Sequence, residues 1–118
     1  MAAVVDAVAT GGTSARTQSS NLVALTAVRL SLSGQDAEGY AKACTALAET
    51  TEALDVSKIA AKTVIVTGSE DKISPEKVCQ GYKEKMKNVV AVEVLQHVGH
   101  WHVFEDPHGL AEAIKQVL

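Results

Sequence analysis

Residues 62–101 hold two short apolar runs separated by one amphipathic stretch, and few folds accommodate that order. The first run, Lys62-Thr63-Val64-Ile65-Val66-Thr67-Gly68, is rich in β-branched residues and ends on glycine. The second runs from Val89 to Leu95 and leads into His97-Val98-Gly99-His100-Trp101. Short buried runs flanking a helical pattern predict two parallel strands joined by a crossover. Such crossovers are almost always right-handed, so both strands end on the same edge of the sheet. Parallel neighbours lie about 5 Å apart, which predicts that the loops carrying Asp71 and His100 are close.

The flanking segments read more simply. Ala2 to Ala9 is a short apolar helix pattern stopped by Gly11-Gly12. Thr13 to Asn21 is rich in serine and threonine with almost no apolar residues, which predicts a flexible loop. Its Gly12-Thr13-Ser14 lacks the lysine that a phosphate-binding loop requires. Apolar residues recur at helical spacing from Leu22 to Leu32. Asp36 is placed to cap a further helix, with Tyr40, Cys44, Leu47 and Ala48 as its expected buried stripe. Ser74 and Pro75 predict a helix start, serine as cap and proline in the first helical position, with Val78, Cys79, Tyr82 and Met86 facing inward. Asp106-Pro107 predicts another, opening a last helix with the stripe Leu110, Ala113, Ile114, Val117 and Leu118. Val64, Val66, Val92, Val94, Ile114 and Val117 are expected to be the most buried residues of the C-terminal half.

Composition excludes some function classes. A net charge of −3 gives no reason to expect nucleic acid or an anionic membrane as partner. No apolar stretch approaches the roughly 20 residues that span a bilayer. Met1 to Asp6 carries no positively charged region, so no secretory signal is expected. Two cysteines, Cys44 and Cys79, make no disulfide framework. Each falls on the apolar face of a helical pattern, which predicts buried reduced thiols and a cytoplasmic setting.

The chemistry concentrates in the two loops. A hydrolytic relay needs a nucleophile, a base that takes its proton and an acid that orients the base; His100 and Asp71 suit the last two roles. Each residue alone also fits a structural part, Asp71 as a loop aspartate binding backbone N–H groups and His100 as a buried, hydrogen-bonded histidine. His97, His100 and His102 invite a metal reading. Alternation along an extended segment, however, sets His97 apart from the other two, and no cysteine or glutamate nearby completes the set, so no metal is expected.

Gly68-x-x-Asp71-x-x-x-Pro75, followed by Gly99-His100 and a final amphipathic helix, resembles the C-terminal part of an α/β-hydrolase. Gln35 to Leu47 resembles the helical cap of the 3-oxoadipate enol-lactonase and esterase branch, and the resemblance runs from about Asn21 onward. It implies a partial α/β-hydrolase fold: a cap-like segment over 1–57, then part of the core over 58–118 with a two-stranded parallel β-α-β unit and a C-terminal helix. The activity it implies is hydrolysis of a small ester or lactone through a Ser-His-Asp relay, with Asp71 as acid, His100 as base, Trp101 and His102 walling the substrate pocket, and no cofactor. The chain has no Gly-x-Ser-x-Gly elbow; Ser14 lacks the second glycine and a preceding strand. By the resemblance the nucleophile and oxyanion donors belong upstream of Met1, which makes this the last third of such an enzyme. A strand that is central in the family is then expected to present an unpaired edge, a template for self-association. Two rivals stand beside this reading: a non-catalytic remnant acting as an interaction module, and an unrelated small α/β binding domain.

Overall fold

The computed structural model of the chain describes residues 2–52 and 54–118; Met1 and Ala53, both within the segment expected to be cap-like, lie outside the described residues. The fold is mixed α/β and helix-rich. Four helices come first, α1 (Ala2–Gly12), α2 (Ala15–Ser20), α3 (Leu22–Ser33) and α4 (Ala37–Glu49). A 3-10 turn at Val56–Lys58 leads into β1 (Thr63–Gly68), α5 (Glu76–Lys85), β2 (Val89–Leu95), α6 (His102–Glu105) and α7 (Pro107–Lys115).

The expected crossover is present. Strands β1 and β2 pair in parallel, in continuous register from Val64 opposite Ala91 to Gly68 opposite Leu95. A register shift between Thr63 and Val64 leaves Val90 without a partner and about half exposed. Helices α5 and α7 pack against the strands. At the far edge the loops are laced together: Ser69 N–H donates to Leu95 O and Glu70 N–H to Val98 O, both at 2.9 Å. Gly68 is required there, because a Cβ would collide with the Val98 and Gly99 carbonyls.

The main core, however, is not under the sheet. It joins Val5 and Ala9 of α1 to Leu25, Val28 and Leu32 of α3, with Trp101 and Phe104 packed against them from the C-terminal half. Val64, Val66, Val92, Val94 and Val117 are only half-buried, and Ile114 is 43% exposed. The most buried side chains of that half belong instead to Thr67, Asp71, Cys79, Val98, Glu105 and Ala113. Parallel sheets are normally covered by helices on both faces and flanked by further strands. Among the described residues each strand has one neighbour, so its side chains stay partly open.

Three further expectations are corrected. Thr13 to Asn21 is not a loop: Ser14 caps α2 by accepting from Thr17 N–H, and Asn21 accepts from Ala24 N–H to cap α3. Short hydroxyl and amide side chains stabilise helix ends, and here polar residues rather than an apolar stripe are buried. Helix α4 starts at its predicted Asp36 cap but buries nothing. Tyr40 alone of its stripe packs on the core, Cys44 is exposed and Leu47 is 78% exposed. Accordingly the radius of gyration, 15.4 Å, exceeds the roughly 13.5 Å usual for this length. Finally, α5 is capped one residue later than predicted, at Pro75, with no side-chain bond. The Ser74 backbone is engaged elsewhere, its N–H donating to Asp71 and its carbonyl accepting from the Thr67 hydroxyl.

Candidate functional site

Asp71 sits in the turn after β1, its N–H bonded back to Gly68 O at 3.1 Å. Its Oδ1 accepts from the Ile73 and Ser74 N–H groups, each at 2.8 Å, so the structural part foreseen for a loop aspartate is filled by one oxygen. The other oxygen, Oδ2, lies 3.0 Å from His100 Nδ1. The sheet edge therefore brings the predicted acid and base together. An ionised carboxylate only accepts, so the shared proton belongs on Nδ1 of the neutral ring. That leaves the Nε2 lone pair free, and no hydrogen bond to Nε2 occurs among the described residues. Burial disfavours the Asp71 carboxylate, but donation from Ser74 N–H, His100 and Ile73 N–H outweighs it and holds its pKa below the usual value.

His102 joins from the first position of α6. Its Nε2 is 3.5 Å from the same Asp71 oxygen, yet is buried and makes no hydrogen bond among the described residues. The approach is close but poorly aligned, so it is proximity rather than a second bond. Burial lowers its pKa against the attraction of Asp71, and the ring is neutral near pH 7. The two rings meet at Asp71 because α6 begins at His102, not because an extended segment alternates. His97 points elsewhere, 3.7 Å from Glu70, in a left-handed backbone conformation with φ 59°. Among the described residues no group of three or more His, Cys, Asp or Glu side chains could hold a metal ion.

Trp101 stands edge-on to His100, ring centroids 6.2 Å apart, and packs on Phe104 and the α1–α3 core. Its Nε1 is buried against Gly12 without a hydrogen-bond partner among the described residues. The cavities described in the structure lie away from these residues: by Ala60 and Val89, between Leu47 and Tyr82, and along Leu22 to Leu30.

The chain matches no family model, and no curated protein or solved structure is similar to it. Ser14 is buried and its polar groups are engaged locally. Its hydroxyl accepts from Thr17 N–H and bonds the Thr17 hydroxyl at 3.1 Å, and its backbone N–H donates to Glu105 at 2.8 Å.

Sequence reading missed Glu105. This carboxylate, 3% exposed, accepts four hydrogen bonds and ties α2 to the histidine loop. Burial opposes its charge, but donation from Ser14, Thr17 and Gly99 prevails and keeps its pKa low. The available signal was weak: an acid five residues after a Gly-His pair, in a segment otherwise read as a helix cap.

Proposed function

We propose that this chain supplies the acid and the base of a Ser-His-Asp relay that hydrolyses a small ester or lactone, with the nucleophilic serine provided from outside the residues present here. The observation that carries the reading is the 3.0 Å bond from His100 Nδ1 to a buried Asp71 carboxylate whose second oxygen is already occupied. Such an acid fixes the ring, leaves Nε2 as the proton acceptor and stabilises the imidazolium that forms when a hydroxyl is deprotonated. The motif order Gly68, Asp71, Pro75, Gly99, His100 supports an α/β-hydrolase ancestry, with α1–α4 in the place of the cap.

The supporting experiment is complementation. The chain is combined with a polypeptide carrying a strand and a Gly-x-Ser-x-Gly elbow from an α/β-hydrolase, and turnover of p-nitrophenyl esters and simple lactones is measured. The expected result is turnover above that of free imidazole that vanishes in His100→Ala. It should fall by about 10⁴ in Asp71→Asn, as when the orienting carboxylate of a triad is lost. Pieces that associate without turnover, or turnover indifferent to His100, overturn the proposal.

A second reading is favoured by one observation, the half-open two-stranded sheet whose outer edges carry no strand among the described residues. It makes the chain an interaction module that self-associates or docks a strand. Association that persists unchanged in His100→Ala and Asp71→Asn, with no ester or lactone turnover from the combined pieces, is the outcome that favours it.

A further inference from the structure

We propose that Glu105 is a positioning residue for His100, a two-sided clamp that makes the placement of the imidazole depend on residues 12–17. Its catalytic meaning rests on His100 acting as the base; the clamp geometry does not.

The two carboxylate oxygens divide their work. Oε1 accepts from Gly99 N–H at 3.1 Å and Trp101 N–H at 3.2 Å, the two backbone groups that flank His100. Oε2 accepts from Ser14 N–H and the Thr17 hydroxyl, both at 2.8 Å, at the start of α2. Between the two flanking groups, His100 N–H donates to Gly12 O at 2.7 Å. Three consecutive N–H groups of the histidine loop thus end on acceptors that residues 12–17 either provide or hold in place. The fit is tight as well as bonded. A Cβ on Gly99 would strike Gly12 O and the Ser14 and Thr13 backbone. Thr17 and Val98 are fully buried around it.

A buried carboxylate that accepts from four donors is fixed by them and fixes them in turn, because releasing any one leaves a buried polar group unsatisfied. The imidazole has no such network of its own: among the described residues its ring makes one bond, to Asp71. Its aim toward that carboxylate is set by the backbone on either side. The helical segment before residue 34 is then not a passive lid but part of what holds the base.

The experiment reads the His100 ring directly, by long-range 1H–15N NMR of the intact chain. In the native protein the Nδ1–H signal, protected by its bond to Asp71, should be sharp. Glu105→Gln places an amide NH2 against one pair of donors, so the signal is expected to be lost while circular dichroism still reports a folded chain. Thr17→Val removes one donor from the Oε2 side alone and is expected to broaden the signal; Thr17→Ser, which keeps the hydroxyl, should restore it. A folded Glu105→Gln or Thr17→Val with an unchanged His100 signal overturns the clamp. If Glu105→Gln does not fold, the Thr17 pair decides. Because this readout needs no turnover, a failed complementation with intact clamp behaviour removes the hydrolase reading and leaves the clamp standing.

Discussion

Asp71 does two jobs with two oxygens, and the division makes it more than a turn residue. Asp71→Asn preserves size but offers an NH2 group to partners that are all donors. Either the Ile73 and Ser74 N–H groups lose their acceptor, or the His100 ring passes its proton to Nε2 so that Nδ1 accepts from the amide and charge-assisted bonds become neutral ones; both routes cost about 1–3 kcal/mol. A drop of that size in urea-unfolding free energy is expected; no measurable change would show that neither set of bonds matters. Gly99 carries a steric version of the same constraint. Gly99→Ala puts a methyl against fixed backbone rather than flexible side chain, and overpacking of that kind costs about 1–3 kcal/mol. Asp71 and His100 were legible in the sequence because strand periodicity and crossover topology place them without any long-range information. Glu105 was not, since its bonds to Ser14 and Thr17 join positions 91 and 88 residues apart.

Among the elements, α3 carries the core and can be tested face by face. Leu25 is 5% exposed and Leu30 on the opposite side is 68% exposed. Leu25→Ala is expected to cost roughly 2–4 kcal/mol and Leu30→Ala no more than about 0.5 kcal/mol; equal losses would mean that α3 packs differently. Periodicity located α3 within one residue of its observed end, and Asp36 and Asp106 were correctly placed as caps. Helix α2 escaped notice because hydrophobic periodicity sees only apolar faces, and its buried side is Thr17 with Ser14 as cap. The strands were found but their burial was overestimated. A Val-Ile-Val run declares a strand; how many neighbours cover it is set elsewhere.

Across the whole molecule, the buried ionisable groups make acid the weak side. His102 is held neutral by burial, so as pH falls through its ordinary value of 6.5 the unfolded chain takes up a proton that the folded chain resists. Stability therefore begins to drop there. Asp71 and Glu105 have folded pKa values below their ordinary 3.8 and 4.5. Their contribution is complete above those values and is lost as pH falls through the folded ones. A thermal midpoint that declines in two stages from pH 7 downward is expected, the first stage absent in His102→Phe; a midpoint that rises between pH 7 and 5 would contradict it.

All of this converges on one ring. The long-range 1H–15N spectrum of His100, recorded at alkaline pH, should show a proton on Nδ1 and a bare Nε2, and Asp71→Asn should move the proton to Nε2, the tautomer in which the proposed base cannot act. A native ring already protonated on Nε2, or one that ignores Asp71→Asn, would mean that the 3.0 Å approach does not orient a base.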